Sequence, residues 1–215
     1  AMELFRPYAE AGREIVCFSI SAGMSTSGNV MRLAAEELGA SDRIKVIDSA
    51  NLSTGIGLLV VEAAIMAKNN RTASQIVSEI ERLKPNVRAS FVVDTLTYLY
   101  RGGRCNAVAA MAGGILKLHP RIVVENGAMN ASKKYRGKID SVIMDYVKDM
   151  EKDLKNARPE RVFITHSGCK QETVEKVRAY LEELDVFDEI LETRAGGVIS
   201  SHCGPGTLGV LYIAK

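Results

Sequence analysis

Near residue 88 the chain stops alternating strand and helix and begins to form hairpins, so one uniform fold does not accommodate both halves. From Glu14, EIVCFSI is β-branched, aromatic and short, the signature of a buried strand. A loop of Ser and Gly follows, Ser21 to Asn29. NVMRLAAEELG then carries helical spacing up to Gly39, a residue suited to the position after a helix. RIKVIDS (43–49) is a second short strand, ending in Asp48 and Ser49. Ser53 to Lys68 and Thr72 to Leu83 read as helices, the latter with Thr72 or Ser74 as its cap. This alternation predicts parallel strands covered on both faces. Only two strands are visible there, and two parallel strands make a poor sheet.

Beyond residue 88 the pattern is different. ASFVVD (89–94) is a strand, TLTYLYRGGR a short helical stretch, and NAVAAMAGGILKL an apolar helix of small residues. HPRIVVENGAMNASKKYRG reads as two strands joined at Asn126-Gly127, the strongest short hairpin signal. Gly137 to Asn156 is a long amphipathic helix, RVFITHSG a strand and Gln171 to Leu184 a further helix. The remainder, from EILETR to the Gly/Pro turn at HCGPG and on to LYIAK, reads as short strands. The expected organisation is an α/β domain over 1–88 and a mixed-sheet α+β domain over 89–215.

Composition removes several functions. At 215 residues, 47% hydrophobic and 25% charged, the chain is neither disordered nor a miniprotein that needs staples. A net charge of +2 is too small for a general nucleic-acid or polybasic membrane binder. No run reaches the roughly 18–20 apolar residues of a membrane span. Cys17, Cys105, Cys169 and Cys203 stand far apart with no CxxC spacing, which suits a reduced cytoplasmic setting.

The loop SAGMSTSGN lies between a strand end and a helix start, where α/β sheets bind anions. Ser21, Ser25, Thr26 and Ser27 supply hydroxyls, and Gly23 and Gly28 permit close approach. Capping by Ser27 or Thr26 alone is the simpler reading, although a cap needs one hydroxyl rather than four. The loop matches neither GxGxxG nor GxxxxGK[ST], so nucleotide binding is disfavoured. Arg101-Gly102-Gly103-Arg104 is either an acid-binding clamp or a helix end with solvated arginines. His202-Cys203-Gly204-Pro205-Gly206 places an imidazole by a rigid turn. Zinc on His166, Cys169, His202 and Cys203 is disfavoured, because neighbours on a strand point to opposite faces. No metal, cofactor or hydrolytic dyad is expected.

Taken in order, ISAGMSTSG, VIDSANLSTGIGLLV, DTLTYLYRGGRCNAVAAMAGGILKLHP and HCGPGTLG resemble the DegV family of fatty-acid-binding proteins from about Glu14 to Lys215. The resemblance implies a two-domain α/β protein that holds one long-chain fatty acid in a tunnel between its domains. It also implies that the protein presents the carboxylate to a separate fatty acid kinase, as a carrier rather than an enzyme. On that likeness the ligand-binding residues are Ser21, Ala22, Gly23, Met24, Ser25 and Thr26, with Arg104, Arg136, His202 and Gly204 near the carboxylate or the surface that meets the kinase. The usual ISSGLSGT loop is here ISAGMSTSG. The family's leading strand and Thr/Ser-Pro loop are absent, so the first domain is expected to be incomplete, with an open strand edge beside EIVCFSI that invites self-association. Two other readings compete: an enzyme acting on a phosphorylated small molecule, and a truncated interaction domain without a ligand.

Overall fold

A computed structural model describes residues 1–103 and 118–215. The chain divides into two compact units, Ala1–Pro85 and Asn86–Lys215, three residues before the boundary expected from the sequence. The difference arises because Val87 and Arg88 already belong to the first strand of the second unit.

The first unit orders α1 (Met2–Glu10), β1 (Ile15–Ser19), α2 (Ser27–Glu37), β2 (Ile44–Asp48), α3 (Ser53–Lys68) and α4 (Ala73–Leu83). β1 and β2 form a two-stranded parallel sheet, Ile15 opposite Ile44 through Ser19 opposite Asp48. Phe5 and Ala9 of α1 and Ala34 and Ala35 of α2 bury one face of it, against Ile15, Cys17, Ile44 and Val46. α3 and α4 pack against the strands as well. α4 opens on a complete capping box. The Gln75 backbone N–H donates to Thr72 Oγ1 at 3.3 Å, and the Thr72 N–H donates to Gln75 Oε1 at 3.1 Å.

The second unit orders β3 (Val87–Val92), α5 (Thr97–Gly102), β4 (Leu118–Glu125), β5 (Ala128–Arg136), α6 (Ile139–Asp149), α7 (Glu151–Leu154), β6 (Ala157–Ser167), α8 (Gln171–Glu183), β7 (Ile190–Arg194), α9 (Gly197–Cys203) and β8 (Thr207–Ala214). Among the described residues its six strands run β5-β4-β3-β8-β6-β7, and only β6 and β7 pair in parallel. Asn126 and Gly127 both take positive φ, 51° and 76°, as a tight primed hairpin turn requires. α6, α7 and α8 cover one face of the sheet, with Val142, Tyr146, Val147, Leu154, Val174 and Leu181 packed on Val162, Ile164 and Val210.

Two sequence expectations change here. The long helix over 137–156 is two helices that part at Met150. The terminal stretch is not strands alone, because Gly197–Cys203 is helical before β8 begins. His202 and Cys203 are therefore helix neighbours, and the opposite-faces argument against zinc does not apply to them. Of the apolar small-residue helix expected over NAVAAMAGGILKL, all but Leu118, together with Arg104 and Cys105, lies outside the described residues, and Leu118 opens β4.

Candidate functional site

In the first unit the candidate loop grows directly from the C-terminal end of β1. Gly28, in the first turn of α2, sets its geometry: a Cβ there would stand 2.8 Å from Ser19 Oγ, so only glycine lets the helix start this close to the strand. Ser21 is buried, at 2% exposure. Its N–H donates to the Asn51 carbonyl at 2.9 Å, and its own carbonyl accepts from the N–H groups of Met24 (2.9 Å) and Ser25 (3.1 Å). Its Oγ accepts from the Gly23 N–H at 3.2 Å. Met24 is buried beside it, while Ala22, Gly23 and Thr26 are exposed.

The loop after β2 braces this one, a role that reading the sequence residue by residue misses. Asp48 accepts from the Ala22 N–H with both carboxylate oxygens at 3.3 Å and from the Ala50 N–H at 2.8 Å. The Ser49 hydroxyl donates to the Asn51 carbonyl at 3.2 Å and accepts from the Asn51 N–H at 3.1 Å. Asn51 Oδ1 accepts from the Leu52 N–H at 3.0 Å, and any side chain at Gly55 would overlap it. Ala50 and Ser53 hold φ of 50° and 49°, a conformation that costs free energy outside glycine and that this bracing sustains. The available signal was VIDSANLSTGIG, whose Asp, Ser and Asn fall in a turn, where short polar side chains bond to nearby backbone.

This geometry redefines what the loop offers an anion. Most of its backbone N–H groups are spent inside the loop or on Asp48, so they do not form an open cradle. What remains is hydroxyl chemistry. Ser25 Oγ and Ser27 Oγ lie 2.7 Å apart and share one hydrogen bond, and Ser25 Oγ also accepts from the Ser27 N–H at 3.2 Å. Two hydroxyls carry two protons, and the shared bond uses only one. Thr26 makes no side-chain cap bond to α2, so the capping reading passes from Thr26 to Ser25. A singly charged carboxylate suits such donors better than a phosphate dianion, which Asp48 would repel.

In the second unit, α5 and α9 pack together through two glycines. A Cβ on Gly102 would stand 2.7 Å from His202 Nδ1, and a Cβ on Gly204 (φ 81°) would overlap the Tyr98 ring. The YLYRGG and HCG segments are thus complementary surfaces. Gly103 is left-handed at φ 64°, and its N–H donates to the carbonyls of Leu99 (3.2 Å) and Tyr100 (3.1 Å). It ends α5 as a helix C-cap. Arg136 closes β5 opposite Leu118 and is exposed. His119 anchors the turn that follows: its Nε2 lies 3.0 Å from the Gly137 carbonyl, which can only accept, so Nε2 carries the proton. His119 Nδ1 lies 3.4 Å from Asp94 Oδ1. Neither Asp94 nor His119 was singled out from the sequence, although His119 sits in the distinctive HP step. Burial pushes the Cys203 thiol up to about 12, and burial followed by Asp140 pushes Cys169 up to about 11, so both stay protonated. Neither is a ready nucleophile.

Comparison with known proteins adds the family. The DegV family profile, described as uncharacterised proteins, matches residues 1–215. A DegV domain-containing protein of Clostridium perfringens is 33% identical over 216 residues, covering 99% of this chain and 74% of its own length. A Deinococcus radiodurans protein of the same description is 31% identical over 211 residues, covering 97% of this chain and 74% of its own. Among solved structures, a fatty-acid-binding DegV family protein from Thermus thermophilus superposes with a TM-score of 0.86 at 27% identity, over all of this chain and 75% of its own. DegV from Bacillus subtilis, described as a fatty acid binding protein, does so with a TM-score of 0.79 at 28% identity, over 99% of this chain and 76% of its own. Among the described residues, no helix is long and apolar enough to cross a membrane. From the full-length profile match, relatives above 30% identity and a shared fold, the chain belongs to the DegV family.

Proposed function

We propose that this chain binds a long-chain fatty acid and presents its carboxylate to a fatty acid kinase, without catalysing the transfer itself. The observation that carries the reading is the Ser21–Ser27 loop, whose hydroxyls stand at the end of β1 in a fold shared with fatty-acid-binding relatives. Ser21, Ser25 and Thr26 supply the donors in this reading, with backbone at Ala22, Gly23 and Met24 shaping the loop. Arg104, Arg136, His202 and Gly204 belong to the carboxylate end or to the surface that meets the kinase.

The energetics favour a lipid. Burying an acyl chain contributes about 0.8 kcal/mol per CH₂, on the order of 10 kcal/mol gross for a sixteen-carbon acid. The head group then needs only enough donors to avoid an unpaired charge. A carboxylate held by hydroxyls also keeps an oxygen exposed for attack on a nucleotide's terminal phosphorus, which would form an acyl phosphate as the nucleoside diphosphate leaves. The competing reading, an enzyme for a phosphorylated small molecule, is disfavoured by the Asp48 carboxylate on the Ala22 N–H.

Native mass spectrometry of the purified protein tests the ligand, and an added acyl mass is expected. Ser21→Ala should weaken fatty-acid binding in calorimetry by about tenfold to a hundredfold, the cost of a charge-assisted hydrogen bond. Incubation with a fatty acid kinase and ATP should convert the bound acid to acyl phosphate, whereas the chain alone should not. Unchanged affinity in folded Ser21→Ala removes Ser21 from the site.

A further inference from the structure

A second cavity belongs to none of this. It lies wholly within the second unit, on the sheet face that α6 and α7 cover, with a volume of about 380 Å³. Ser90 of β3, Arg121 and Val123 of β4, Tyr212 of β8 and Met150 between the helices form its inner wall. Its outer rim carries exposed residues of both signs, Arg88 and Lys215 against Glu125 and Asp153, with the Asn156 amide beside them.

Arg121 decides what the cavity is for. Its Nε is buried and has no hydrogen-bond partner among the described residues. The guanidinium carbon stands 5.7 Å from the centroid of the Tyr146 ring, which compensates part of the charge and none of the N–H bonding. A guanidinium donates and never accepts, and it stays charged at every pH the fold survives, so its missing partner must be an acceptor. Asp149, which accepts from Lys133 and the Tyr135 hydroxyl through Oδ2, attracts Arg121 through charge and makes no hydrogen bond to its Nε among the described residues. The Ser90 hydroxyl is taken up with Tyr146 and Met150. Burial holds the Tyr212 phenol protonated, which adds a second donor to the same wall.

From the cavity and the unpartnered Arg121 Nε together, we infer that this pocket binds a small molecule bearing one carboxylate or phosphate group, with the acid on Arg121. The volume is at the lower end for small-molecule sites and far exceeds the roughly 30 Å³ share of a single water. The balanced rim charge excludes polyanions and admits a compact monoacid. The Arg121 side chain singles out the occupant by its acceptor geometry, and the inference is independent of whether the chain carries a fatty acid.

The test is a titration of the whole chain with inorganic phosphate, and separately with acetate, followed by nitrogen–proton correlation spectra of the arginine Nε–H groups. The Arg121 Nε–H signal should shift saturably at millimolar anion and exchange more slowly with water. Tyr212→Phe, which keeps the ring, should weaken that binding by about tenfold or more, the worth of one hydrogen bond to a charged group. Arg121→Lys, read by calorimetry, should abolish saturable anion binding while fatty-acid retention is unchanged. Response to one anion and not the other identifies the acid group. An Arg121 Nε–H signal unmoved by either anion, or moved only in linear proportion to salt, means the pocket holds water and overturns the inference. Equal affinity in folded Tyr212→Phe and Arg121→Lys overturns it as well.

Discussion

Gly102 lies so close to His202 that a methyl in place of its hydrogen would stand 2.7 Å from the Nδ1 of the imidazole. Gly102→Ala must therefore push the ring aside or separate α5 from α9. Overpacking of this kind costs about 1–3 kcal/mol. The gain from replacing a helical glycine is at most about 1 kcal/mol, so the net effect is destabilising. A lower denaturation midpoint and a moved His202 ring resonance are the expected results. An unchanged midpoint with an unmoved ring would show that the two helices do not depend on this approach.

Asp48 holds the candidate loop by accepting from Ala22 and Ala50, and its charge opposes any anion that comes there. Asp48→Asn keeps an acceptor oxygen and removes the charge. Fatty-acid affinity should rise, most at low ionic strength, because screening already mutes the repulsion in high salt. Asp48→Ala, which removes the acceptor as well, should lower it. Calorimetry at two salt concentrations separates charge from scaffold. Equal affinity for the wild type and Asp48→Asn at both would place the carboxylate away from the loop.

Acid stability should depend on Asp149. The hydrogen bond from Lys133, aided by Tyr135, holds its carboxyl below the usual carboxylate range. A folded value below the unfolded one means the contribution is complete above the unfolded pKa of about 3.9 and lost as pH falls through the folded value. The side chain is 36% exposed, so solvent limits the contribution to about 0.5–1 kcal/mol. Urea unfolding should show Asp149→Asn weaker than wild type at neutral pH, with the gap closing as pH falls through the folded value. A gap that persists in acid would assign the loss to packing.

Cys169 and Cys203 should resist alkylation in the folded protein, since burial pushes their thiols up to about 11 and about 12. At about pH 8 an ordinary thiol is partly thiolate and reacts. Both residues should become reactive only on unfolding, as peptide mapping after a timed iodoacetamide pulse would reveal. Rapid native modification of Cys203 would mean that α9 opens.

The two-stranded sheet of the first unit pairs β1 only with β2 among the described residues. The Ile15 N–H and the Ser19 carbonyl point toward the β2 side, so Val16 and Phe18 direct their amides the other way. An open strand edge pairs with another strand, and a second copy of the chain offers one. Amide exchange at Val16 and Phe18 should slow as protein concentration rises, with a matching rise in mass by light scattering. Exchange independent of concentration would show that the edge stays solvated.

Some of this was legible in the sequence, for physical reasons. Asn126-Gly127 announced its hairpin because few residue pairs tolerate two positive φ values in succession. Thr72 announced α4 because the capping box is local, complete within four residues. GVISSHC misled, since its β-branched residues favour strand, and its helix is set by contacts with α5 that lie about a hundred residues earlier in sequence. The bracing of Ala22 by Asp48 and of Ser21 by the Asn51 carbonyl was hidden for the same reason: bonds between two loops leave no periodic trace. The family resemblance points to Ser21, while only the folded loop shows that most of its neighbours' N–H groups are already engaged.

The position of β8 also bears on how the second unit is made. It sits between β3 and β6, pairing Val87 with Ile213 on one side and Ser167 with Thr207 on the other. A ribosome delivers β3 early and β8 late, so the sheet stays split into an antiparallel β5-β4-β3 piece and a parallel β6-β7 piece until residue 214 has emerged. Such non-local pairing slows folding, because the long loop must close before any ladder bond rewards it. In the interval the apolar flanks of β3 and β6 are open to solvent, and chaperones would find their target there. Synthesis stalled before β8 should leave the second unit protease-sensitive, and a separate peptide spanning 207–214 should restore protection.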